Sequence, residues 1–283
     1  MAIDYEHLMS LRTRGERVHY RHRDALLYAL GVGLGRDPGS RDELPYVTEH
    51  TGAKTLPTFA SNLVGNKLLD DCGWDASRVV PHDESVSLER AIDESGTLIV
   101  DTEVAAVFDK GVEAGALITV ESRARRERDG QAVFTVRRTW LAAGDGGFGG
   151  PRGSSAPPHR LPERRPDMTQ TFETRPDQAL LFRLSAGIVP VGEPVDANRD
   201  GLPGPILPGL CLQGIACHAI LKVICEYDHT LIRSFAISYA GPAYSGENLV
   251  ADLWQDANIV SCRLRALARD AVVLDQGRCV LAT

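Results

Sequence analysis

A mostly apolar stretch in the second half of the chain constrains the fold most strongly. Residues 210–226 read LCLQGIACHAILKVICE and form a predicted helix that is apolar on most of its sides rather than along one stripe. Such a helix must be buried, and no apolar run in the chain approaches the roughly 20 residues that span a bilayer. We therefore expect a sheet that wraps around this helix.

Strands are predicted after this helix. Runs of apolar and β-branched residues alternate with turn formers such as Pro242 and Gly246, which is typical of an antiparallel sheet. The predicted strands are 231–239, 248–255, 259–268 and 271–283. A short helix over 177–185 is expected before the long one.

The same order of elements occurs in the first half. Helices are predicted over 24–33 and 58–69, and Asp129-Gly130 is a hairpin signal between two strands. The strands expected after the helices are 85–91, 97–109, 116–126 and 132–142. Two units of helix followed by antiparallel sheet indicate an α+β fold.

A segment rich in glycine, proline and charged residues separates the two units. It covers 144–166 and offers little that could form a core. We therefore predict an N-terminal module over 1–143, a linker over 144–166 and a C-terminal module over 167–283. The two modules are expected to pair through their sheets.

The composition excludes several classes of protein. Fractions of 43% hydrophobic and 24% charged residues are those of a soluble globular protein, and a net charge of −7 gives no reason to expect nucleic acid. Without a signal-peptide pattern or a membrane span, a cytoplasmic protein is expected. The six cysteines form no CxxC pair and are expected to be reduced and buried. Lacking ligand clusters and phosphate-binding glycine loops, the chain is expected to bind no metal or cofactor.

The segment before the long helix carries a more specific signal. Residues 183–209 read RLSAGIVPVGEPVDANRDGLPGPILPG. This frame resembles the motif of the MaoC-like, or hydratase-2, enoyl-CoA hydratases, in which R-L-S-G-D-x-N-P-x-H is followed by P-I-L-H-G-L-C. Further segments resemble the family: LYALGVG at 27–33, LPTFA at 56–60, GGFGG at 146–150 and PAYSGENL at 242–249. The resemblance implies a tandem, or double, hotdog fold in which an antiparallel sheet wraps a long central helix in each module.

Four polar positions of the family motif hold other residues in this chain. Gly187 stands at the acid position, Val189 at the asparagine position, Gly192 at the first histidine position and Pro208 at the second. The resemblance implies that the acid and the first histidine activate the water that adds to an enoyl thioester. Glycine cannot transfer protons, so we expect efficient hydration to be lost.

The start of the long helix is what remains of the family site. Backbone amides of Gly209 and Leu210 point out of its positive end and could polarise a thioester carbonyl, although plain helix entry explains the same residues equally well. Glu193 is the first candidate for a replacement acid or base, although a solvent-exposed loop carboxylate is the simpler interpretation.

Several side chains are further candidates for a pocket. Gln213 and Cys217 are four residues apart and share one face of the long helix. Tyr239 and Tyr244 could place hydroxyl groups in the pocket, although packing roles are simpler for both. His218 is interpreted as a core or surface histidine rather than a catalyst.

Three functions stay open on the sequence. The one we favour is a repurposed enzyme of lyase or isomerase type. It would act on a small acyl or polyketide-like substrate, for example a thioester, by cyclisation, isomerisation or elimination in secondary metabolism. The second is a non-catalytic scaffold or partner subunit of an active hydratase, and both a homodimer and a heteromer fit the chain. The third is a residual hydratase or dehydratase that uses Glu193.

Overall fold

One antiparallel sheet of ten strands organises the fold. A computed structural model describes residues 3–49, 52–65, 67–154, 157–186 and 204–283. The strands are β1 Arg12–Tyr20, β2 Val79–Leu88, β3 Gly96–Asp109, β4 Ala116–Arg126, β5 Ala132–Ala142, β6 Met168–Glu173, β7 Ile232–Tyr239, β8 Asn248–Asp256, β9 Ile259–Ala266 and β10 Ala271–Leu281. Their order across the sheet is β1-β3-β4-β5-β2-β7-β10-β9-β8-β6. Five strands therefore come from each half of the chain, and the predicted tandem hotdog fold is confirmed.

The two halves of the sheet meet at β2 and β7. These strands pair antiparallel from Asp83 opposite Ser238 to Ser87 opposite Ser234. The expected pairing of the modules through their sheets is thus found within the chain. The exact limits of the linker at 144–166 stay a prediction.

Six α-helices accompany the sheet in the described residues. They are α1 Tyr5–Ser10, α2 His22–Gly31, α3 Leu44–Val47, α4 Phe59–Asn62, α5 Gln178–Ala186 and α6 Gly209–Val223. α6 is the predicted long central helix, and its residues from Cys211 to Leu221 are buried. It ends at Val223 rather than at 226 because Glu226 and Tyr227 adopt positive φ angles of 46° and 60°.

A long central helix in the first module was wrongly predicted. The expected helix over 58–69 is reduced to α4, followed by a 3-10 turn over Lys67–Asp71. Asn62 and Gly65 disfavour the helical conformation and interrupt the apolar run at its middle. Among the described residues of the first half, no helix exceeds the ten residues of α2.

Two further predictions concern the cysteines and membrane-spanning helices. All six cysteines lie in described parts of the chain, all are buried, and none forms a disulfide, as expected. Within the described ranges, no helix is long and apolar enough to cross a membrane.

Candidate active site

α6 begins directly at the glycine of the PILPG segment. Pro208 precedes the first helical turn with φ −54° and ψ 141°. Its carbonyl oxygen accepts hydrogen bonds from the amides of Cys211 at 2.9 Å and Leu212 at 3.2 Å. Proline provides no side-chain cap, so the helix starts with the backbone amides of Gly209 and Leu210 directed toward its positive end.

Tyr239, the last residue of β7, lies against this helix start. A Cβ atom placed on Gly209 would come within 2.6 Å of ring carbon Cε1 of Tyr239 and 3.2 Å of its hydroxyl oxygen. Only glycine therefore allows this close approach. The structure brings together two of the predicted candidates, a phenol hydroxyl and the first amides of a helix, at one point.

Gln213 and Cys217 continue the same face of α6 into the interior. Both residues are fully buried. Neither amide atom of Gln213 has a hydrogen-bond partner among the described residues. Burial raises the pKa of the Cys217 thiol to about 12, so the group is a neutral thiol at neutral pH and not a thiolate nucleophile.

Two polar residues that the sequence analysis did not offer as site candidates, Asn62 and Ser185, contact each other beside the end of α2. Asn62 Nδ2 in α4 lies 3.5 Å from Ser185 Oγ in α5, and Ser185 Oγ donates to the carbonyl of Phe182 at 2.7 Å. An ideal Cβ on Gly31 would lie 3.5 Å from the same Ser185 oxygen. The ends of α2, α4 and α5 therefore meet here.

A buried ion pair holds α4 in place. Arg138 Nε of β5 donates to both carboxylate oxygens of Glu84 in β2 at 3.0 Å and 2.9 Å. The same guanidinium donates to the carbonyl oxygens of Ser61 and Val64. Burial raises the pKa of Glu84, and the charge of Arg138 opposes that rise. The pair thus ties the end of α4 to the middle of the sheet.

Known proteins resemble this chain over nearly its whole length. Residues 18–144 match the family model described as the MFE-2 hydratase 2 N-terminal domain. The enoyl-CoA hydratase ChsH3 of Mycobacterium tuberculosis is 33% identical over 285 residues, covering 98% of this chain and 98% of that protein. The chain belongs to the MaoC-like hydratase-2 family.

Two more comparisons agree with this membership. The peroxisomal enoyl-CoA hydratase 2 of Arabidopsis thaliana is 31% identical, covering 91% of this MaoC-like chain and 89% of the plant protein. The crystal structure of a MaoC-like dehydratase from Phytophthora capsici has a TM-score of 0.86 at 23% identity and covers 99% of this chain and 98% of that one. The structural likeness supports the hotdog fold.

Tyr244 contacts the segment that leads into α6 in this MaoC-like protein. It forms a β-bridge with Ile206, and its ring lies 5.1 Å from the guanidinium carbon of Arg269. These contacts anchor the segment that leads into α6. Of the two predicted tyrosines, Tyr239 provides the three nearest atoms to a Cβ placed on Gly209.

The replaced positions of the family motif are only partly described. Pro208 is the residue before α6, as its place in the motif requires. Gly187, Val189, Gly192 and the candidate acid Glu193 lie outside the described residues. Their roles stay predictions that rest on the sequence.

A second buried polar cluster lies along α6 and was not predicted. His218 Nε2 lies 3.5 Å from Glu43 Oε1, which also accepts from the hydroxyl of Tyr227 at 2.9 Å. Burial lowers the pKa of His218, outweighing the effect of Glu43. Burial works against ionisation of Glu43 as well, but hydrogen bonds from His218, the Gly35 amide and Tyr227 lower its pKa to about 2. A neutral, buried histidine agrees with the interpretation of His218 as a core residue.

No metal centre accompanies these clusters in the described parts of the chain. There, no three histidine, cysteine or acidic side chains are grouped as ligands. The expected lack of a metal or a cofactor stays a prediction.

Proposed function

We propose that this protein binds an acyl thioester with its carbonyl at the start of α6 and transforms the acyl chain without efficient addition of water. The observation that carries the proposal is the contact of Gly209 with Tyr239, at the positive end of a buried helix. The thioester substrate class rests on the relatives, which are named enoyl-CoA hydratases.

The proposed chemistry uses the helix start as an electrophilic site. Amides of Gly209 and Leu210 would stabilise negative charge that develops on the thioester oxygen, and the Tyr239 hydroxyl lies at the same place. Polarisation of the carbonyl would make the adjacent carbon more acidic, and its proton would pass to solvent water. Elimination, isomerisation or cyclisation of an acyl or polyketide-derived chain in secondary metabolism is the reaction class that we propose.

The replaced motif positions argue against hydration as the main reaction. Water addition needs a proton acceptor and a proton donor beside the β-carbon, and such groups commonly contribute ~10²–10⁴-fold in rate. Gly187 and Gly192 offer no side chain for either role. The protein is therefore proposed to be a lyase or isomerase rather than an efficient hydratase.

A direct assay with crotonyl-CoA tests this proposal. We expect the purified protein to bind the thioester in a competition assay and to hydrate it at least ~10²-fold more slowly than a family hydratase with the full motif. Hydration at a rate equal to that enzyme would contradict the loss of hydratase chemistry. Failure to bind any acyl-CoA would contradict the thioester site itself.

A partner subunit is the second candidate function. The family motif at 183–209 keeps most of its residues but not its four polar ones. A non-catalytic subunit that pairs with a catalytic one would retain such a motif. A stable complex with a MaoC-like chain that carries the full motif, seen by light scattering after co-expression, would favour this candidate. A lone homodimer with turnover of its own would count against it.

A further inference from the structure

A groove lies on the face of the sheet that points away from α6. It has a volume of about 950 Å³, and its floor is formed by the central strands β5, β2, β7 and β10 from both halves of the chain. Residues 157–160, which read PPHR, form one wall. Neighbouring residues on a strand point to opposite faces, so Ser238 lines the groove while Tyr239 meets the start of α6. The groove is therefore separate from the candidate active site.

The lining of the groove is cationic although the chain as a whole is acidic. Its lining residues include four cations, Lys110, Arg137, Arg160 and Arg278, and the carboxylate of Asp83. The side chain of Glu84 points to the other face of the sheet, toward Arg138. The net charge of the whole chain is −7. A concave surface of one sign attracts ligands of the opposite sign.

The two carboxylates of this part of β2 have other partners. Asp83 Oδ1 accepts from the hydroxyl of Ser238 at 2.6 Å, and its Oδ2 lies 2.7 Å from His82 Nδ1. Glu84 is buried in its ion pair with Arg138. Among the described residues, neither acid forms an ion pair with an arginine of the groove.

The four cations differ in what they contact. Arg137 forms an ion pair with Glu121, and Lys110 donates to the carbonyl of Gly153 at 3.2 Å. Arg160 and Arg278 form no ion pair with any described residue. The guanidinium groups of Arg160 and Arg278 thus contribute positive charge to the groove that no described carboxylate pairs with.

The wall of the groove is held in place. His159 Nε2 lies 2.8 Å from Ser261 Oγ of β9, and two prolines precede this histidine. Burial lowers the pKa of His159, and the positive charge of Arg278 lowers it further. Arg278 on the floor of the groove therefore lies close enough to His159 on the wall to affect its ionisation.

We propose that this groove binds a phosphate-ester anion of nucleotide size. Guanidinium groups match the oxygen geometry of phosphate, and the hydroxyl of Ser85 on the floor can donate to a further oxygen. The volume lies within the range of ligand pockets, roughly 300–1,000 Å³. The site would be a second one, independent of the reaction at Gly209.

Two sources could provide this phosphate ester, a free nucleotide and the nucleotide half of a CoA thioester. Isothermal titration of the full chain with ATP, coenzyme A and inorganic phosphate separates them. We expect ATP or coenzyme A to bind more tightly than inorganic phosphate at moderate salt. The tighter of the two identifies the source.

Charge-removing variants locate the binding. Arg160→Gln and Arg278→Gln should each weaken binding by about tenfold, since a charge-assisted hydrogen bond contributes roughly this factor in affinity. Arg41→Gln, an exposed arginine outside the groove, should leave the affinity unchanged. Thermal unfolding checks that each variant is folded.

Three results would overturn the proposal. They are no binding of any of the three probes, binding that Arg160→Gln and Arg278→Gln leave unchanged, and equal loss of binding in Arg41→Gln. Coenzyme A that binds with an affinity insensitive to Arg278→Gln belongs to the other face of the sheet and also counts against the groove.

Discussion

At the scale of single residues, the helix start depends on the absence of a side chain at position 209. The Tyr239 ring occupies the space that a Cβ atom would need, with its nearest carbon 2.6 Å away. Real Cβ atoms do not approach other atoms this closely, so any larger residue must displace the tyrosine. Glycine at this position therefore supports both the packing of β7 on α6 and the proposed carbonyl site.

Gly209→Ala is expected to weaken thioester binding by about tenfold or more and to destabilise the fold by about 1–3 kcal/mol, the usual effect of overpacking. Gly204→Ala is the matched control, because the nearest atom to its added Cβ lies at 3.8 Å. Competition binding with crotonyl-CoA and urea unfolding provide the two measurements. Equal binding by Gly209→Ala and the parent chain would remove this glycine from the proposed site.

The pKa of Glu43 predicts an acid-dependent loss of stability. Its folded-state pKa of about 2 lies below the ordinary value of 4.5, so the carboxylate stabilises the fold above pH 4.5 and loses this contribution as the pH falls toward 2. Burial lowers the pKa of His218, which acts in the same direction because the unfolded state binds its proton more readily.

Glu43→Gln should therefore flatten the dependence of the unfolding free energy on pH between 4.5 and 2. Urea titrations at a series of pH values measure this dependence. Glu226→Gln, an exposed acid just beyond α6, is the control that should keep the original slope. An unchanged slope in Glu43→Gln would show that the hydrogen bonds to Glu43 do not favour its ionised form.

At the scale of elements, the sequence predicts those strands whose limits are set by local patterns of apolar and turn residues. β4 and β5 span the predicted residues because alternating apolar residues and Asp129-Gly130 define the hairpin. β1 and β6 were missed, since both are outermost strands with largely exposed residues and little apolar pattern. Tyr239 and Gln213 could be proposed from the sequence, whereas Asn62, Ser185 and Glu43 could not. Their partners lie far away in the chain.

Restoring the family groups in the segment before α6 tests the proposed loss of hydratase chemistry. The variant Gly187→Asp with Gly192→His should raise crotonyl-CoA hydration by at least ~10²-fold, because it returns an acid and a base to the proposed positions. Gly201→Asp adds a carboxylate elsewhere in the same segment of the sequence and should give no gain. Absence of any gain in the double variant would show that more than these side chains separates the protein from its hydratase relatives.

At the scale of the whole molecule, the sheet makes the two halves of the chain one structural unit. β2 and β7 pair through five residues each, and the groove, the Glu84–Arg138 ion pair and Tyr239 all lie at or beside this junction. The candidate active site and the proposed phosphate site therefore lie on opposite faces of the same central strands. Damage to the junction should affect both.

Ala236→Pro tests whether the two halves unfold together. Ala236 of β7 lies opposite Ser85 of β2 in the middle of the junction. Proline removes a backbone donor from a central strand, and we expect a loss of about 3 kcal/mol in a single unfolding transition that involves the whole chain. Ala236→Ser keeps the amide and serves as the control. Circular dichroism and tryptophan fluorescence should report the same midpoint, since Trp140 belongs to the first half and Trp254 to the second. Two separate transitions in the proline variant would show instead that each half is stable without the other.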